Sequence, residues 1–372
     1  MDPRIQFCHN AVCPARGQAG RGNIRVHSRK ERRYQCRTCQ ATFAETTGTP
    51  YYRLHQAAEV MTTVLTLLCH GCPLQAIVAA FELDERTVAA WQAKAGEHCR
   101  AVHGHLVLAG RVDAQHVQAD ELWAKRVGGR LWQAMALAVP SRLWLGGVLS
   151  PRRDRALITD LVRQVRAAAS SPAILVCVDG LSSYVTAFQR VFRRPVRTER
   201  VGRPRLVAEG GLLLGQVVKR YVKRHVVDVE QRAVLGTVAA IAAVLAATGT
   251  GTMIHTAYIE RLNATFRACL APLVRRGRAL ARTEAALTAG MYLVGCAYNF
   301  CWEHASLRLA APPGSPLQWR ERTPAIAAGL TGHRWTMDEL LHYQVPLPAW
   351  VPPKRRGRPP KQPQPTALAA AA

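Results

Sequence analysis

His255-Thr-Ala-Tyr-Ile-Glu-Arg-Leu-Asn-Ala-Thr-Phe-Arg267 is the stretch on which the reading of this chain turns. Ile259, Leu262, Phe266 and Leu270 recur at helical spacing and form one apolar stripe. Glu260, Asn263 and Arg267 fall together beside that stripe, because residues three and four apart share a helix face. The helix therefore sets a carboxylate, a carboxamide and a guanidinium at the border of a buried face. A single acid there is usually a solvated edge, so its meaning depends on partner carboxylates elsewhere.

Two such acids lie upstream. His116-Val-Gln-Ala-Asp120-Glu121-Leu-Trp123 reads as a strand, with further strands between Leu131 and Leu149. Pro172 to Asp179-Gly180 is an apolar run of the kind a strand buried on both faces requires. An acid closing a buried parallel strand sits at the sheet edge where sites form. Asp154 to Ala169 reads as a crossover helix between them. Asp120 and Glu121 are neighbours on one strand and face opposite ways, so the residues alone leave open which one serves a site.

The order strand acid, strand acid, helix acid resembles the DDE transposases of bacterial insertion sequences. The match is to the type whose third motif reads Ile-Glu-Arg-x-Asn-x-Thr-x-Arg, here Ile259-Glu260-Arg261, Asn263, Thr265 and Arg267. Asp120-Glu121-Leu-Trp123 fits the first motif and Asp179-Gly180 the second. Tyr298-Asn299-Phe300, His304, Ser306-Leu307-Arg308 and Arg322-Thr-Pro-Ala through Gly329-Leu330 also fit.

The resemblance implies an α/β chain: a ribonuclease H-like catalytic domain preceded by a small zinc ribbon and an all-α helix-turn-helix domain. It implies Asp120, Asp179 and Glu260 as catalytic acids holding Mg²⁺ or Mn²⁺, and it selects Asp120 over Glu121. Asn263 and Arg267 would support them. The implied partners are double-stranded DNA, as element ends and target, and further copies of the chain assembled on it. The implied compartment is the bacterial cytoplasm, at the nucleoid. A catalytically inactive DNA-binding regulator derived from a transposase is the alternative.

Composition agrees with a polyanion partner. The 372 residues carry 50 Lys plus Arg against 24 acids, a formal charge of +26, which favours nucleic acid over a membrane surface. Ala233 to Thr248 is the most apolar segment but is too short to span a bilayer comfortably, and it reads as a buried helix. No Gly-rich phosphate loop of the Walker type is present, so nothing supports ATP hydrolysis.

Among the eleven cysteines, Cys8-x4-Cys13 and Cys36-x2-Cys39 form two close pairs around a Gly- and Arg-rich segment. That is zinc-ribbon spacing, four thiolates closing a structural Zn²⁺ site over residues 1–50. The first pair is wide, and His9 is an alternative ligand to Cys8. Residues 55–107 then read as helices, with a break at Gly71, Pro73 opening a second helix, and Asp84 capping a third from Glu85 to about His98. The last two match a helix-turn-helix as well as a plain hairpin. In the first case Arg86, Thr87 and Gln92 would face bases, while Val88 and Trp91 serve the core.

The catalytic domain is expected over 112–309, with a basic, hairpin-bearing insertion at about 190–250 that can track DNA phosphates. An appended region would follow over 310–350, with a short helix near Met337 to His342. The tail, 351–372, contains Arg356-Gly357-Arg358, which resembles an AT-hook able to lie in a narrow minor groove. A disordered basic tail holding phosphates without preference fits it equally.

Overall fold

The computed structural model describes residues 1–197, 203–223 and 225–352. The AT-hook-like residues Arg356, Gly357 and Arg358 lie outside the described residues. The chain divides into two compact units, one of residues 1–45 with 346–372 and one of Thr46–Val345.

The first unit is a small antiparallel sheet of β1 (Ile24–Ser28), β2 (Arg33–Cys36) and β3 (Thr42–Ala44). Its core is only Ile24, Tyr34, Phe43 and a few neighbours packed with the cysteines. So few apolar side chains cannot offset the entropy of ordering this segment, which is where a metal would contribute.

The larger unit starts with α1 (Ala58–Cys69), α2 (Leu74–Phe81) and α3 (Glu85–Leu106). Asp84 caps α3 as its sequence predicts, accepting from the Arg86 N–H at 2.7 Å. The third helix does not stop near His98: it runs 22 residues to Leu106. His98 and His103 lie inside it and are buried, each meeting a carbonyl, of Leu340 and Leu145 respectively. The extension lies along α8 (Glu284–Cys296). At Gly96 a Cβ would sit 2.5 Å from that of Ala289, so glycine permits the close crossing. The apolar core therefore runs unbroken from α1–α3 into the sheet, and 55–107 is not a separate core.

Six strands form the central mixed sheet, in the order β11-β10-β7-β4-β5-β6. They are β4 (His116–Arg126), β5 (Gly129–Ala138), β6 (Leu143–Ser150), β7 (Leu175–Asp179), β10 (Leu213–Val222) and β11 (His225–Leu235). A separate pair, β8 (Arg193–Val196) and β9 (Arg205–Ala208), precedes β10. The strands β4, β7 and β10 are parallel and the others antiparallel. Crossovers follow β6 through α4 (Arg155–Ala168), capped by Asp154, and follow β7 through α5 (Ser182–Val191). The short β7 is buried until Asp179, as its continuous apolar run requires.

Two further expectations change in and beside the sheet. Leu213–Val222 does not belong to an insertion at 190–250; it pairs in parallel with β7 from Leu175 to Asp179 and is a strand of the sheet. Local alternation announces a strand but not its partner. The apolar segment before Thr248 forms α6 (Val238–Thr248), yet only Ile241 and Leu245 are buried there. Its alanines face outward, so it is a surface helix.

Then come α7 (Ala257–Cys269), α8 and a π-helical turn over Ala297–Cys301. The side chain of buried Asn299 both accepts from the Trp144 N–H and donates to its carbonyl, each at 2.9 Å, along the outer margin of β6. The last helices, α9 (Pro324–Ala327) and α10 (Met337–His342), belong to the same core rather than an appended region. Trp335 stacks on Phe300, and His342 on Tyr51. The short helix at Met337 matches its sequence reading and carries a capping box between Thr336 and Glu339. Among the described residues no helix is long and apolar enough to cross a membrane.

Candidate functional site

The site is built outward from β4. Because successive strand residues alternate, His116, Gln118 and Asp120 share one face. Each holds part of the chain that delivers Glu260. The His116 ring meets Thr250 Oγ1 at 2.8 Å. The Gln118 Oε1 accepts from the N–H groups of Tyr258 and Ile259, both at 3.0 Å, and its Nε2 donates to His255 O at 2.7 Å. A side-chain amide thus satisfies donors that the first turn of α7 would otherwise leave unpaired. Asp120 accepts from Asn263 Nδ2 at 2.8 Å.

Asp120, Asp179 and Glu260 all line one cavity of about 680 Å³, with Asn263 and Arg267 beside them. Their approach is unequal. Ligand atoms of Asp120, Glu121 and Asp179 lie within 4.8 Å of one another. Glu260 stands farther out, accepting from Thr256 Oγ1 at 3.0 Å and from Lys219 Nζ at 3.3 Å.

Strand alternation predicts that only one of Asp120 and Glu121 reaches the site; both do. They still leave β4 on opposite faces, Asp120 toward Asn263 on α7 and Glu121 toward Arg153 and Tyr184. Both sit level with the end of β7, so two side chains from opposite faces converge on Asp179. Glu121 is almost wholly buried. Arg153 donates twice to its Oε2, at 2.6 and 3.0 Å, and once to Asp179 at 3.3 Å, and its guanidinium rests over Trp132.

Burial, then the charges of Glu121, Asp179 and Glu260, push the Asp120 carboxyl up to about 7. Burial likewise raises Glu121, against the opposing pull of Tyr184 and Arg153. Burial works against the charge on Arg153, but Glu121 and Asp179 hold it protonated. Arg267 is lowered by burial and by Arg275, and its Nε has no hydrogen-bond partner.

Crowded carboxylates of this kind suit a hard divalent cation with oxygen ligands. Glu121 Oε1 is a further sign of fit: it is buried and makes no hydrogen bond, although the Tyr184 hydroxyl lies beside it. Asp120, Glu121 and Asp179 can therefore hold a divalent ion.

In the smaller unit, the Sγ atoms of Cys8, Cys13, Cys36 and Cys39 also lie within 4.8 Å of one another. Cys8 and Cys39 are 3.6 Å apart, and Cys13 and Cys36 3.9 Å. A tetrahedron with Zn–S bonds near 2.3 Å has edges of about 3.8 Å, so the four can bind zinc. His9 is not the alternative ligand: its ring lies between Phe7 and Phe43, and burial lowers it to about 4.

Of the groove candidates on α3, Arg86 is exposed and Thr87 half-buried. Gln92 does not face outward: its amide lies against Gly290 of α8. The sequence reading missed Gln118, Arg153, Thr256 and Arg275. Gln118 was discoverable, since two residues separate it from Asp120 and the strand period puts both on one face. Nothing local marks Arg153. Compared with known proteins, the chain matches no protein-family model and no curated protein.

Proposed function

We propose that this chain is a DDE transposase of the bacterial insertion-sequence type, with a ribonuclease H-like catalytic domain. One observation carries the reading: Asp120, Asp179 and Glu260, far apart in sequence, line one cavity at the end of a parallel strand, and Asn263 of the Glu260 helix is bonded to Asp120. The sheet order with its three parallel central strands supports the fold assignment. Arg86 at the head of α3 and the four-cysteine unit are the proposed DNA-binding parts, and the proposed setting is the bacterial cytoplasm, with several copies on DNA.

Asp120, Glu121 and Asp179 would hold the metal, and Glu260, now paired with Lys219, would be the further carboxylate available to it. When bound, Mg²⁺ or Mn²⁺ activates the attacking oxygen and neutralises the leaving one. Arg267, Arg275 and Lys219 draw the phosphodiester into the cavity. Asn263 keeps Asp120 oriented, and Thr256 does the same for Glu260. Attack by water breaks the P–O3′ bond and frees a 3′-hydroxyl. Attack by that hydroxyl on target DNA forms one P–O bond and breaks another, so no external energy source is needed.

The test is cleavage and joining of duplexes taken from the DNA flanking the coding region, with Mg²⁺. Wild type is expected to nick and join, and Asp179→Ala to fall to background. Equal behaviour of the two ends the enzyme reading. The ion pairs Arg153–Asp179 and Lys219–Glu260 favour one alternative, an inactive DNA-binding regulator whose acids are neutralised internally. Tight DNA binding by a wild type inert in both Mg²⁺ and Mn²⁺ would select it.

A further inference from the structure

Tyr298, His304 and Ser306 belong to the motif set of the sequence but not to the acid cavity. They surround a second cavity of about 250 Å³, with Arg142, Tyr258 and Arg261. Helix α7 separates the two. Glu260, Asn263 and Arg267 flank its buried stripe on one side, and Tyr258, Arg261 and Thr265 flank it on the other. Each trio is offset from the other by two residues, about 200° around the helix.

The second cavity is built for an anion. No carboxylate lines it, and among the described residues neither Arg142 nor Arg261 has an ion-pair partner. Arg142 holds a left-handed backbone, φ 57°, at the turn before β6. Its guanidinium lies 3.9 Å from the centre of the Tyr258 ring and donates to Val139 O. The head group is thus fixed before any ligand arrives. On the opposite wall His304 Nδ1 and Ser306 Oγ are 3.0 Å apart. That turn is itself held: the His304 N–H donates to Arg322 O, and Arg322 Nε donates to Leu307 O at 2.7 Å. Two guanidiniums without acid partners, with a hydroxyl and an imidazole beside them, match the several oxygens of a phosphate.

We infer that this cavity is a subsite for a phosphodiester of the DNA backbone other than the one at the acids, on the far side of α7. One helix carries both sites, so seating a phosphate on Arg261 fixes the position of Glu260 relative to the DNA. The anion site stands on its own geometry; its assignment to DNA rests on the transposase reading.

The experiment uses the full chain and a 30-base-pair duplex of random sequence (about three helical turns), in EDTA, across a salt series. Arg261 is exposed, so Arg261→Gln is expected to fold normally, which a melt verifies. Its affinity should fall about tenfold, and the slope of log K against log salt should drop by about one. Arg163→Gln, an exposed arginine on α4 already paired with Asp160, is the control and should change little. Inorganic phosphate should raise the melting midpoint of wild type and not of Arg261→Gln. Equal affinity and slope in Arg261→Gln and Arg163→Gln, or equal stabilisation of wild type and Arg261→Gln by phosphate, overturns the subsite. Cleavage is scored separately: loss of strand joining in wild type with an intact Arg261 effect removes the transposase reading alone, and active cleavage with no Arg261 effect removes the subsite alone.

Discussion

Asp120 is folded into a place that disfavours its own charge. With its carboxyl pushed up to about 7 by burial and by Glu121, the folded chain keeps a proton that the unfolded chain surrenders near pH 4. Stability from this group is therefore fully present in acid and is lost as pH rises from about 4 through 7. Asp120→Asn removes the loss. In EDTA at pH 8 the variant should melt higher than wild type, by about 2 °C or more, with little difference at pH 4. Adding Mg²⁺ should raise the wild type and leave the variant unmoved; a wild type insensitive to Mg²⁺ at pH 8 would contradict the metal assignment. At this scale much was legible, because an acid at the end of an apolar strand is conspicuous. The approach of both Asp120 and Glu121 was not, since alternation gives a side chain's direction but not how far its carboxylate reaches around a strand end.

Among the elements, α7 depends on β4 for its start. Its N-cap, Thr256, offers no side-chain bond to the helix backbone; Gln118 performs that task from another strand. Gln118→Leu should strand one buried and one half-buried N–H group and cost about 2–4 kcal/mol, read as a lower urea midpoint at unchanged slope. Strand joining should fall further than stability explains, because Glu260 lies in the turn that Gln118 fixes. An unchanged midpoint would mean that α7 is anchored elsewhere. Helices α1, α2 and α7 and the crossover α4 were readable from period and caps. The length of α3 was not, because past His98 its inward face is completed by α8, which lies about two hundred residues later. The membership of β10 in the sheet escaped for the same reason: its partner β7 is non-local.

At the level of the whole molecule, the two compact units answer to different forces. The larger has a continuous apolar core, whereas the smaller depends on its sulfurs. Cys36→Ser with Cys39→Ser should reduce bound zinc from about one per chain to none, measured by metal analysis. Amide exchange should then accelerate across β1–β3 while the central sheet stays protected. Zinc content unaffected by the substitutions would reject the site. Cysteine spacing made this unit legible, whereas the merging of 55–107, 112–309 and 310–345 into one core depends on packing between distant segments.

The two margins of the central sheet are not equivalent. Asn299 already occupies the outward N–H and carbonyl of Trp144 on β6, so a foreign strand arriving there finds that docking point taken. The opposite border, β11, leaves Val226, Val227 and Val229 open to solvent. If copies of this chain zip together through backbone pairing of this sheet, they are steered to that border and away from β6 at Trp144.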